Sequence, residues 1–104
     1  MDTFLILFTL DCSNDLEERY KRLVDLIKSL GTNYLEFTRN GWFLRTRSGI
    51  NTVRDRLLRE LNSSGNDGRL IIVDVGLVGW SAHIPEKESK DIAKWLMKNI
   101  SGED

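Results

Sequence analysis

Apolar and polar positions alternate along this chain in blocks that change period. Thr3 to Leu10 is an almost unbroken apolar run, the pattern of a central strand covered on both faces. Leu16, Tyr20, Leu23, Ile27 and Leu30 then recur at alternating spacings of four and three, which predicts a helix with one apolar stripe. Ser13 or Asn14 is placed to cap its start, with Glu17 three residues after Asn14 as in a capping box, and Gly31 to cap its end. Tyr34 to Thr38 and Trp42 to Thr46 read as two strands joined by Asn40 and Gly41, a pair typical of a tight type I′ hairpin. Asn51 or Thr52 is expected to cap a second helix, with Val53, Leu57 and Leu61 inward and Arg54, Arg56 and Arg59 mostly outward. Ser63 to Gly68 is a turn cluster and Leu70 to Val75 a further strand. After a loop with Gly79 and Trp80, Pro85 opens a last helix whose inward face carries Ile92, Trp95, Leu96 and Ile100.

The order strand, helix, strand, strand, helix, strand, helix predicts an α+β fold. Its first six elements form the βαββαβ unit of ferredoxin-like folds, with an antiparallel sheet in the order 4-1-3-2 and an additional C-terminal helix. One domain is expected over residues 1–104. In such a sheet Asp11 lies at the same end as Arg39, Asn40, Trp42, Asp67 and Arg69, and Arg45 and Arg47 lie at the opposite end. Phe4, Ile6 and Phe8 point to one face of the first strand, Leu5 and Leu7 to the other. Two helices cover a single face, so the other needs the third helix, a second copy of the chain, or both. A homodimer packed sheet to sheet is therefore expected.

Composition narrows the function classes. With 40% hydrophobic and 30% charged residues the chain reads as an ordinary globular domain. Its longest apolar stretch is far short of the roughly 20 residues that span a membrane, and no basic segment precedes it as in a signal peptide. No membrane association and a cytoplasmic location are the expectation. The single cysteine, Cys12, forms no internal disulfide, and no Cys/His spacing holds structural zinc. The net charge of −1 is unevenly spread. Residues 1–38 carry 4 basic and 7 acidic side chains (−3), residues 39–69 carry 7 and 3 (+4), and residues 70–104 carry 4 and 6 (−2). All seven cations of the middle segment are arginines, which suit bidentate contact with phosphate or carboxylate. The alternative is a solvated surface paired with the acidic thirds.

Several strings together resemble the SinR-like proteins, which are related to the ferredoxin-like proteins of CRISPR adaptation and to the VapD toxins. They are FLILFTLD ending in Asp11, IKSLG, the hairpin with Trp42, VRDRL, NDGRLIIVDV and GWSAHIPEKESKDIAKWLMKNI. The resemblance covers almost the whole chain. It implies a homodimer in which the acid ending the first strand, here Asp11, approaches its copy, in some members binding magnesium and cleaving nucleic acid.

On that basis Asp11 is the candidate catalytic residue and metal ligand. Magnesium takes oxygen ligands and is held by one or two carboxylates plus substrate phosphate, a pair that two Asp11 side chains would supply. Asp11 serves equally well as a turn residue before the first helix. Arg39, Arg69, Arg45 and Arg47 are the candidate nucleic-acid contacts, with RNA favoured over DNA. Asp67 is a possible second carboxylate, or simply a turn residue. Asp15 reads as a helix N-terminal residue, and His83 as a loop histidine. Trp42 and Phe43 read as core or dimer interface rather than as a stacking platform, and Trp80 and Trp95 as anchors of the last helix. Two functions follow: a magnesium-dependent endoribonuclease acting as a homodimer, and a non-catalytic module that binds nucleic acid or a protein.

Overall fold

The computed structural model describes residues 1–10, 15–63, 68–76 and 89–100. Strand β1 (Asp2–Thr9) pairs antiparallel with β3 (Gly41–Thr46) on one side and β4 (Arg69–Asp74) on the other, and β2 (Asn33–Thr38) adds to β3, giving the order β2-β3-β1-β4. With α1 (Leu16–Ser29), α2 (Ile50–Ser63) and α3 (Ser89–Asn99), this is an α+β fold of four antiparallel strands and three helices. It has the strand order expected for a ferredoxin-like unit. Asp11, Cys12, Ser13, Asn14, Asp67, Trp80, His83 and Pro85 lie outside the described residues.

Register fixes what each end of the sheet carries. Thr9 lies opposite Arg69, and Leu7 opposite both Gly41 and Ile71. At the far end Asp2 lies opposite Thr46, and Asn33 opposite Arg45. Because strand side chains alternate, Phe4, Ile6, Phe8, Trp42 and Leu44 gather on the face covered by α1 and α2, where Leu23, Ile27, Val53, Leu57 and Leu61 close the main core. Each such side chain contributes about 1.5–3 kcal/mol on leaving water. The opposite parity, including Leu5, Leu35, Phe43 and Val73, forms a second cluster under α3 with Ile92, Trp95, Leu96 and Ile100. Trp42 and Phe43 are 5% and 8% exposed, which makes both core residues on opposite faces.

Local details depart from the sequence expectations in four places. The residues at the centre of the hairpin are Arg39 and Asn40, with Thr38 paired to Gly41, because a bulge between Glu36 and Thr38 shifts the register by one. Gly41 is instead a strand residue whose missing side chain admits Leu7: a Cβ there would lie 2.9 Å from Leu7 Cδ2. Helix α1 ends at Leu30 in right-handed geometry, so Gly31 is not a left-handed cap. It lets the chain pass against β3, where a Cβ would strike the Arg45 carbonyl and come within 2.7 Å of Leu44 Cδ1. Helix α2 begins at Ile50, with the Val53 amide donating to the Gly49 carbonyl, which puts Asn51 and Thr52 inside its first turn. In α1 the fully buried stripe is Arg19, Leu23, Val24 and Ile27, rotated slightly from the stripe expected, and Leu16, Tyr20 and Leu30 are half-buried at its margin.

Candidate nucleic-acid interface

The last residues of β1 and the first of β4 meet the β2-β3 hairpin at one end of the sheet. The Phe8 amide donates to the Asn40 carbonyl at 3.1 Å, and the Arg69 amide donates to Thr9 Oγ1 at 3.1 Å. These bonds hold open a groove of about 340 Å³ whose walls include Leu7, Thr9, Thr38, Asn40, Arg69 and Ile71. Leu7 and Ile71 are 42% and 57% exposed on the face that α3 only partly covers, and Phe37 on the same face is 39% exposed. The groove therefore combines apolar floor, two hydroxyls, an amide and a guanidinium. No carboxylate lines it among the described residues.

The four arginines singled out by sequence differ in what they are free to do. Arg39 is exposed but engaged: Nη2 donates to Glu17 Oε1 at 2.6 Å, and the guanidinium lies 4.1 Å from the centre of the Tyr20 ring. The Glu17 carboxylate raises the Arg39 pKa further above its usual range. Its backbone carbonyl accepts from the Tyr20 hydroxyl at 2.7 Å and from Trp42 Nε1 at 3.3 Å, so the residue ties the hairpin to α1. Burial lifts the Tyr20 hydroxyl above its ordinary range, the Trp42 indole opposes the shift and the Glu36 charge adds to it. Arg45 Nη1 donates to the Asn99 carbonyl at 2.7 Å and closes the end of α3. Arg47 lies exposed just past β3, at the same far end as Arg45. Arg69 lines the groove, and its guanidinium has no ion-pair partner among the described residues.

The structure thus brings Arg69, Arg39 and Asn40 to one end and Arg45 and Arg47 to the other, as topology required. Asp15 stands at the N-cap position of α1, its carbonyl accepting from the Arg19 amide at 3.0 Å. Among the described residues no group of three or more His, Cys, Asp or Glu side chains is placed to hold a metal ion. No described helix is long and apolar enough to cross a membrane.

Sequence reasoning missed several residues. Thr9, Thr38 and Ile71 enter the groove only through pairing, although Leu7 was visible as a second-face position once strand parity was applied to the first strand. The docking of α3 was also hidden. Thr3 Oγ1 donates to the Asn99 carbonyl at 2.7 Å, Trp95 Nε1 to Asn33 Oδ1 at 2.9 Å and Asn99 Nδ2 to the Trp95 carbonyl at 2.9 Å. Arg19, 3% exposed, gave no signal beyond its place four residues before Leu23. Comparison with protein-family models, with curated proteins and with solved structures gave no match.

Proposed function

We propose that the protein binds single-stranded RNA in the groove at the hairpin end of its sheet. The observation that carries this reading is Arg69, which lines this groove and has no ion-pair partner among the described residues. A phosphate would meet its guanidinium, an unstacked base would lie on Leu7 and Ile71, and Thr9, Thr38 and Asn40 would offer hydrogen bonds to ribose hydroxyls and base edges. A net charge of −1 provides no general attraction for polyanions, so binding rests on this local contact. Its affinity is expected to fall with salt at a logarithmic slope of about −1, the value for one or two phosphates neutralised on a single strand.

A second reading keeps the homodimer and the chemistry of the SinR-like resemblance: a magnesium-dependent endoribonuclease. It is favoured by position, since Asp11 follows two residues after Thr9, a groove residue. Among the described residues the groove supplies hydroxyl, amide and guanidinium groups and no carboxylate, so the acidic ligands that magnesium prefers would come from Asp11. Asp11 from each copy would then hold the ion, and Arg69 would orient the phosphate. Bound magnesium would neutralise phosphate charge and lower the pKa of its water.

One experiment separates the readings. Labelled single-stranded RNA is titrated with wild type, Arg69→Gln and Asp11→Asn, with magnesium or with chelator, and both anisotropy and strand length are followed. Binding that Arg69→Gln weakens about tenfold, with the strand intact throughout, supports the binding module. Magnesium-dependent shortening that Asp11→Asn abolishes establishes the nuclease. Absence of binding by wild type overturns both.

A further inference from the structure

Glu17, Tyr20 and Arg39 meet where the hairpin touches the start of α1. The Arg39 guanidinium lies over the Tyr20 ring, 4.1 Å from its centre, and its Nη2 donates to Glu17 Oε1 at 2.6 Å. A guanidinium is planar and presents its N–H groups in a fork that matches a carboxylate or a phosphate equally well. Among the described residues Glu17 engages Nη2 alone, so the fork is only partly used. Both side chains stand largely in water, 58% exposed for Arg39 and 79% for Glu17, and an ion pair so exposed is screened and contributes little. Neither partner depends on the other. Glu17 sits in the first turn of α1, where the helix N-terminus favours a carboxylate, and the Tyr20 ring attracts the cation whatever anion stands beside it.

The backbone of Arg39 is fixed by other groups. The Tyr20 hydroxyl and the Trp42 indole both donate to its carbonyl, so the hairpin keeps its place independently of the ion pair. That place adjoins the groove: Thr38 and Asn40, on either side of Arg39 in the chain, both line it, and the Phe8 amide donates to the Asn40 carbonyl. Arg69 pairs with Thr9 on the other side of β1, so two strand spacings, about 10 Å, separate it from the hairpin turn. Strand parity puts Arg69 on the face of Leu7 and Ile71, whereas the Arg39 side chain reaches α1 on the opposite face.

We infer that Arg39 is a second phosphate contact of the RNA strand, held in reserve by Glu17, and that the strand exchanges the Glu17 carboxylate for one of its own phosphates while the guanidinium stays on the Tyr20 ring. On the RNA-binding reading, which this extends, the strand follows a defined path. One phosphate meets Arg69 in the groove, the chain continues over Asn40 around the hairpin end of the sheet, and a later phosphate meets Arg39. Glu17 competes with that phosphate for the same donors and so sets the affinity. The released carboxylate is hydrated and stays favoured by the start of α1, so its displacement opposes binding only weakly. The ligand is a strand of several nucleotides rather than a mononucleotide, because the two arginines stand on opposite faces of the sheet.

The test follows the anisotropy of labelled oligouridine with the full chain as wild type, Glu17→Gln, Arg39→Gln, the double variant and Arg69→Gln. Arg39→Gln is expected to weaken binding about fivefold and to make the logarithmic salt slope about 0.7 less steep, the share of one phosphate on a single strand. Glu17→Gln is expected to tighten binding about threefold, and that gain to vanish when Arg39→Gln is also present. Opposite signs exclude a purely structural role, because both substitutions break the same ion pair and a loosened hairpin would weaken binding in both. The double variant excludes general attraction, because removing one negative charge would then help equally with or without Arg39. An affinity that Glu17→Gln leaves unchanged or lowers, one that Arg39→Gln leaves unchanged, or a gain that persists in the double variant overturns the inference, and the groove reading stands alone if Arg69→Gln still weakens binding. Absence of binding by wild type overturns both.

Discussion

On the sheet face under α1 and α2, fully buried Phe4, Ile6, Leu44, Val53 and Leu57 meet in one contiguous apolar core. On the face under α3, a smaller cluster around Phe43, Val75 and Leu96 is bordered by Thr3, Asn33, Arg45 and Asn99, whose hydrogen bonds fasten the helix. The first face is held by area removed from water, which is non-directional and tolerates small shifts. The second is held in large part by directional bonds that define a single position for α3. The same period-two strands supply both. What differs is the helix above: α3 has 11 residues against 14 for α1 and 14 for α2, and stops short of the hairpin end. Leu7, Phe37 and Ile71 consequently stay exposed there, beside Arg69.

Truncating one side chain on each face sharpens this contrast most. Leu44→Ala should destabilise the whole domain by about 3–5 kcal/mol, seen as a fall in the denaturation midpoint for every probe. Leu96→Ala should cost about 2–3 kcal/mol, with the loss of amide-exchange protection concentrated in α3 and the sheet amides largely unaffected. Equal effects of the two variants on all amides would show that both faces form one cooperative unit.

A smaller effect is expected from Arg45→Met, which keeps the aliphatic stem and removes the charge-assisted bond to the Asn99 carbonyl. About 1–2 kcal/mol should disappear, again from α3 first. An unchanged exchange rate for the Ile100 and Asn99 amides would mean that apolar contact alone fixes the helix.

The least effect is a pH dependence on the first face. The folded-state pKa of Tyr20 is raised, mainly by burial, so the native protein holds this proton more tightly than the unfolded chain. The stabilisation is complete below the ordinary tyrosine range near 10 and is lost as pH rises through the higher folded value. Thermal midpoints measured from pH 8 to 11 should fall more steeply for wild type than for Tyr20→Phe, and identical slopes would remove the effect.

Legibility from sequence followed the same division. Elements with a strong period were readable because burial imposes it: the α1 stripe, Val53, Leu57 and Leu61 in α2, and Ile92, Trp95, Leu96 and Ile100 in α3 all face a core. Strand order followed from the order of elements. Bonds closed by tertiary structure were not readable. Nothing local in Asn33, Arg45 or Asn99 announces that three distant residues share one helix end, and Arg45 looked no different from Arg69. The hairpin misled for a related reason: Asn40-Gly41 carries a strong local preference, but the bulge at Phe37 and the space Leu7 requires at Gly41 set the register instead. At the groove, the sequence indicated which cations share an end of the sheet and not which of them was already occupied.

The bond from Thr3 to Asn99 joins residues 96 positions apart, and the site that receives α3 is assembled from β1, β2 and β3 together. During synthesis these strands leave the ribosome long before α3 does, at about 5–20 residues per second. For that interval Leu5, Leu35 and Phe43 form an apolar wall that α3 has yet to cover. A chain on which α3 has not yet docked therefore presents this surface to chaperones, and the rate at which α3 docks sets how long it stays open.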